Sequence, residues 1–206
     1  NERGYLDASE MMGIFTFMRS NDLVWNYAVN NWLLGEDPPA FDILFWNGDS
    51  TRLPAKMHSF YLRSCYLGNK LAEGTMTLRD TSLDLSKITA DTYVLAAEQD
   101  HITPWQGSYT TTQLLPAADV RFVLSSAGHI AGIVNPPSPK TWHRVGPSNP
   151  AEPGEWLEAS VKNEGSWWED WAEWIGQRSG EQVKPPRMGS RKHKALEDAP
   201  GTYVLG

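Results

Sequence analysis

Two apolar runs constrain this chain more than any other feature. "TYVLAAEQD" ends in acids at Asp100, and "VRFVLSSAGH" ends at His129. Each opens with a short run rich in β-branched and aromatic residues and closes on polar or glycine positions, the pattern of a buried strand. Between them "TPWQGSYTTTQLLPAAD" reads as a helix, with Thr103 as N-cap and Pro104 in the first turn. Strand, helix, strand predicts a right-handed unit whose parallel strands share one C-terminal edge. Asp100 and His129 are therefore expected on neighbouring loops, on the edge where open α/β sheets carry their sites.

The rest of the chain supports one α/β layer and one helical region. Residues 9–35 and 55–71 repeat apolar positions at helical spacing, with "SND" at 20–22 offering an N-cap for the second half of the first segment. "TMTLRDTSLDLSKI" alternates like two strands joined by a turn, and residues 136–154, rich in Pro, Gly and Ser, read as a long loop. "GSWWEDWAEWIG" follows as a helix holding four of the chain's ten tryptophans, and the tail from residue 182 looks extended and turn-rich. Residues 75–175 thus predict a parallel α/β sheet, and residues 9–71 a mainly helical insert or cap. The tryptophans are expected to pack the helix against the sheet, with contact to an apolar substrate as the alternative.

Composition excludes several classes. A length of 206 residues suits one large domain or a domain with an insertion, and 40% hydrophobic with 21% charged residues is ordinary for a globular chain. A net charge of −7 argues against broad nucleic-acid binding. Cys65 is the only cysteine, so neither an internal disulfide nor a cysteine-based zinc site can form, and a reducing compartment fits. His58, His143 and His193 show no ligand spacing, so no metal is expected. "MMGIFTFM" is too short to span a bilayer. The chain starts at Asn1 and is expected to be part of a longer protein.

An acid beside an imidazole can hold one tautomer and stabilise its cation, and the neutral ring can then deprotonate a nucleophile. Gly128 and Gly132 on either side of His129 would let the backbone approach a substrate closely. A histidine in this place can equally cap a helix or fill a hydrogen-bond gap. The order acid then histidine, each after a strand, matches the α/β-hydrolase arrangement, yet no G-x-[SC]-x-G elbow precedes Asp100. Cys65 lies in "LRSCYLG", inside a helical pattern without elbow glycines, and is expected to be structural. If the pair is catalytic, its nucleophile lies outside these residues.

"NDLVWNY", "FDILFWNGDSTRLP", "EQDHITPW", "RFVLSSAGHIAGIVNPP" and "GSWWEDWAEWI" together closely resemble the C-terminal half of polyhydroxyalkanoate synthases, the class I type nearest. The resemblance implies an α/β-hydrolase fold: the C-terminal half of the core sheet with a mainly helical cap insertion. Residues 1–72 would be the remainder of the cap, and residues 73–206 the core with its Trp-rich helix and tail. It implies a Cys–His–Asp triad in which Asp100 and His129 match the acid and the histidine, while the cysteine has no counterpart here. His101 is a candidate for contact with substrate, with plain surface placement the alternative. Trp46 and Asp42, in the cap, are candidates to line or gate the access path, with cap packing the alternative, and Tyr61 and Asn69 fall where the cap rejoins the core. The implied substrates are (R)-3-hydroxyacyl-CoA and the growing polyester, with no cofactor beyond the CoA thioester itself. The implied partners are an upstream segment bearing the cysteine and a second subunit, and the implied location is the cytoplasm, at the polyester granule surface. A non-catalytic scaffold or polymer-binding piece is the alternative, and an ordinary esterase half a weaker third.

Overall fold

The computed structural model describes residues 3–18, 20–38, 51–198 and 201–202. They fall into two compact units, Asn1–Ala90 with Leu114–Ala118, and Asp91–Gln113 with Asp119–Gly206.

The first unit is largely helical. A two-residue strand β1 (Tyr5–Leu6) pairs antiparallel with β2 (Leu53–Pro54). The helix Ala8–Met18 opens on a capping box: the Asp7 carboxylate accepts from the Ser9 amide at 3.1 Å, and Glu10 accepts from the Asp7 amide at 3.2 Å. Of the cap residues expected at 20–22, Ser20 takes the cap position without capping. Ser20 holds helical angles with no side-chain cap, and wider π-helical turns follow at Asn21–Trp25 and Ala28–Leu33. Helix Ala55–Tyr61 runs into a further π-helical stretch, Leu62–Leu67, as the spacing predicts. The expected strand pair is a short hairpin, β3 (Thr77–Leu78) and β4 (Thr81–Ser82). Its turn residues Arg79 and Asp80 sit at φ 48° and 62°, as a primed two-residue turn requires.

The second unit is built on a four-stranded sheet: β5 (Thr92–Ala97), β6 (Val120–Ser125), β7 (Trp142–Val145) and β8 (Val161–Glu164), in that spatial order. The strands β5 and β6 are parallel through six register pairs, from Thr92 opposite Val120 to Ala97 opposite Ser125. This is the unit expected from the two apolar runs. The prediction of an all-parallel sheet is corrected by β7 and β8, which join antiparallel. The strand β7 also corrects the long loop expected over 136–154. It finds its place on the free edge of β6, where His143 lies opposite Ser125 and Val145 opposite Val123.

Alternation along β5 and β6 sends side chains to opposite faces. On one face Val94, Ala96, Phe122 and Leu124 meet Trp105 and Tyr109 of helix Trp105–Tyr109, and Trp156 and Leu157 of helix Pro153–Ala159. Phe122 lies edge-on to both Tyr109 and Trp156, with centroids 4.9 and 4.8 Å apart. Trp156 is fully buried, and its ring lies so close over Gly146 that an added Cβ would overlap the indole nitrogen. On the other face Tyr93 and Arg121, register partners, hold the Trp-rich helix Trp167–Gly176 through Asp170. The expected packing of that helix on the sheet is met by Trp167 and Trp174, 6.3 and 5.4 Å from the Tyr93 ring, whereas Trp168 and Trp171 are exposed. The unit is a sheet between two helical layers, an α/β architecture. Residues 182–198 carry no regular element, in line with the extended tail expected there.

Candidate active site at the ends of the parallel strands

Because Ala97 pairs with Ser125, the segments after β5 and β6 leave the sheet side by side. The ladder continues one step further: the Glu98 amide donates to Ser125 O, and the Gln99 amide to Ala127 O, both at 2.9 Å. Ala127, at φ 73°, then turns the second loop back. Residues 128–134 close a helical turn, with the Gly132 amide on Gly128 O at 2.7 Å and the Val134 amide on Ile130 O at 2.8 Å. His129 rides on that turn.

The two loops bring Asp100 and His129 together. Imidazole Nδ1 lies 2.8 Å from carboxylate Oδ2. The carboxylate is also fixed from its own loop: Oδ1 accepts from the Ile102 and Thr103 amides, both at 2.9 Å, and Oδ2 from the Thr103 hydroxyl at 2.7 Å. Its side chain is only 7% exposed, whereas His129 is 43% exposed. Burial acts to raise the Asp100 pKa, but the Thr103 amide, the imidazole, the Thr103 hydroxyl and the Ile102 amide outweigh it and bring it to about 2. An ionised carboxylate only accepts, so His129 donates from Nδ1 and Nε2 is the basic nitrogen. This is the arrangement of a general base held by an acid.

The structure corrects the reading of Thr103. In place of the expected Thr103, Pro104 occupies the cap position of the following helix with ψ 133°, and the Thr103 hydroxyl serves Asp100 instead. The Asx-type turn that Asp100 closes on the Ile102 amide, two residues on, brings Thr103 round to the carboxylate. Gly132 is a second correction. It does not face a substrate: a Cβ there would overlap the Cβ of Ala97 and lie 2.8 Å from Gly128 O, so the protein itself fills the space. A Cβ at Gly128 would meet only Gln99 O, at an ordinary 3.5 Å.

His101 follows Asp100 on the same loop and is exposed. Trp46 and Asp42 lie outside the described residues. Tyr61 stacks edge-on against Tyr66 at 5.4 Å, and Asn69 takes φ 41° just after the helix ends at Gly68. Cys65 is a free, half-buried thiol within Leu62–Leu67 of the first unit. His143 is buried, with Nδ1 3.1 Å from Gly165 O. Among the described residues no group of three or more His, Cys, Asp or Glu side chains could hold a metal ion, and no helix is long and apolar enough to cross a membrane.

A family model of the alpha/beta hydrolase fold matches residues 1–136, and the chain belongs to that family. Within it, the chain is 47% identical over 207 residues to poly(3-hydroxyalkanoate) polymerase 2 of Ectopseudomonas oleovorans, covering 99% of this chain and 37% of that protein. It is 44% identical over 198 residues to poly(3-hydroxyalkanoate) polymerase subunit PhaC of Cupriavidus necator, covering 95% of this chain and 33% of the relative. With the poly(3-hydroxyalkanoate) polymerase of Methylorubrum extorquens the identity is 42% over 205 residues, 98% of this chain and 34% of the relative. The chain therefore spans about a third of the length of these relatives.

Proposed function

We propose that this chain is the C-terminal part of a polyhydroxyalkanoate synthase and contributes the acid and base of a Cys–His–Asp triad. Its cysteine comes from a preceding segment. The observation that carries the reading is the 2.8 Å pair of Asp100 and His129 on adjoining loops, in a chain similar to poly(3-hydroxyalkanoate) polymerases over nearly all its length. The substrate is an (R)-3-hydroxyacyl-CoA, and the CoA thioester is substrate rather than cofactor.

His129 Nε2 takes the cysteine proton as sulfur attacks the thioester carbonyl. The carbon–sulfur bond to CoA breaks, and the imidazolium returns its proton to the departing thiolate. A hydroxyl of a second monomer or of the chain end then attacks the acyl-cysteine. Its proton passes to His129 and on to the released cysteine sulfur, and a new ester bond remains. Asp100 keeps Nδ1 protonated and the ring turned, and it stabilises the cation in both halves. His101 and Trp46 are the candidates for contact with substrate, residues 1–72 act as the cap remainder, and the working enzyme is a dimer at the polyester granule surface in the cytoplasm.

The test is CoA release from (R)-3-hydroxybutyryl-CoA by this chain joined to the cysteine-bearing segment. His129→Ala is expected to lower the rate by about six orders of magnitude, as loss of a triad base does. Cys65→Ala is expected to leave it within about twofold of the parent, since a thiol outside the triad adds no transition-state contact. Full activity in His129→Ala, or loss in Cys65→Ala alone, overturns the assignment.

A further inference from the structure

The turn that carries His129 follows β6, and the hydroxyl of that strand's last residue, Ser125, reaches its far end. That end runs through the carbonyls of Gly132, Ile133 and Asn135. Three consecutive side chains at the start of the Trp-rich helix meet them. The Trp167 indole N–H donates to Gly132 O at 3.0 Å, and the Trp168 indole N–H to Ile133 O at 3.0 Å. The Ser166 hydroxyl donates to Asn135 O while accepting from the Trp168 amide at 3.0 Å, which makes it the helix N-cap as well. Ser166 is fully buried. Gly132 O also accepts from the Ser125 hydroxyl at 2.6 Å, so both of its lone pairs are used.

The helix that makes these contacts is fixed independently. One turn on, Asp170 accepts from Arg121 on β6 and from the Tyr93 hydroxyl on β5, at 2.9 and 2.8 Å. At its far end Arg178 reaches Asp91, before β5, at 2.8 Å. The helix is thus pinned to the two strands whose tips deliver Asp100 and His129. From there it grips the histidine turn at three carbonyls.

We propose that Ser166, Trp167 and Trp168 are positioning residues for His129, holding its turn so that the imidazole stays on Asp100. The part of this that concerns turnover rests on the proposed function; the part that concerns the imidazole does not. Trp167→Phe and Trp168→Phe keep an aromatic ring but remove the indole N–H together with part of the ring area. Trp174→Phe is the control, on the same helix but packed on Tyr93 and Arg178 rather than bonded to the turn.

Two readouts decide the matter. The first is the proton NMR resonance of His129 Nδ1–H in the full-length protein, which reports its hydrogen bond to Asp100 independently of turnover. In the Trp167→Phe/Trp168→Phe variant it is expected to broaden or vanish, with Trp174→Phe keeping it. The second is CoA release in the cysteine-completed enzyme, where kcat is expected to fall about 10- to 100-fold with KM unchanged, the cost of a displaced catalytic group. If the double variant does not fold, Ser166→Ala and the single Trp167→Phe variant carry the same test. A sharp, unshifted Nδ1–H signal with parental kcat in folded variants overturns the proposal, as does an equal loss in Trp174→Phe. If His129→Ala itself releases CoA normally, the proposed function fails while the resonance still decides the positioning role.

Discussion

Gly132 lies against Ala97 across the tips of the two parallel strands, so closely that a Cβ at 132 would overlap the alanine methyl. It would also meet the carbonyls of Gly128 and Ser126 at 2.8 and 3.1 Å. The contact seats the histidine turn on the end of β5. Gly132→Ala is therefore expected to lose about 1–3 kcal/mol, the usual cost of overpacking. Urea unfolding measures it. Adding Ala97→Gly is expected to restore only part of the loss, because the Gly128 carbonyl remains in the way; full restoration would contradict this geometry.

Asp100 gives the fold an acid-sensitive element. Its folded pKa of about 2 lies below the ordinary 3.8, so the carboxylate stabilises the folded state above the unfolded value. That contribution is complete above about pH 5 and is lost as pH falls through about 2. It amounts to about 2 kcal/mol, since each tenfold change in proton affinity is worth about 1.4 kcal/mol. Urea unfolding of the parent and Asp100→Asn from pH 2 to 7 is expected to show a gap that is widest near neutrality and narrows towards pH 2. A gap independent of pH would contradict the hydrogen-bond assignment.

The Arg121–Asp170–Tyr93 cluster is expected to behave as a unit. Asp170 is 14% exposed, and although burial acts to raise its pKa, Arg121 and Tyr93 bring it below the ordinary carboxylate range. Tyr93→Phe removes one hydrogen bond and is expected to cost about 1 kcal/mol. Arg121→Ala leaves a largely buried carboxylate without its cation. Its cost is expected near 2 kcal/mol, below that of a fully buried pair because Arg121 is 37% exposed. In a double-mutant cycle, Arg121→Ala with Asp170→Ala is expected to cost less than the sum of the two single changes. Strict additivity would mean the groups do not interact.

Much of this site is legible in the sequence because it rests on local pattern. The strands β5 and β6 announce themselves as apolar runs, and parallel pairing fixes where Asp100 and His129 emerge. The strands β7 and β8 are not legible: "WHRV" and "VKNE" are four-residue, mostly polar segments, with no face buried deeply enough to impose alternation. Thr103 is ambiguous because capping and side-chain bonding to an acid draw on the same residue types. The four-tryptophan helix shows its periodicity, but no period reveals which carbonyl stands opposite an indole N–H. That depends on how loop 126–135 folds back, which only the assembled sheet defines.

The six-rung ladder between β5 and β6 separates two jobs that one segment could otherwise confuse. Since a single-rung slip moves a strand end by about 3.3 Å and reverses every side chain, the pair's spacing is dictated by backbone pairing and hardly at all by what connects the strands. The connection from 101 to 119 can thus be lengthened or rebuilt after Thr103, provided Trp105 and Tyr109 still fill their places beneath Phe122 and Thr112 and Leu115 stay buried. For anyone reshaping this scaffold, that stretch is the part that can change while carboxylate and imidazole keep their appointment.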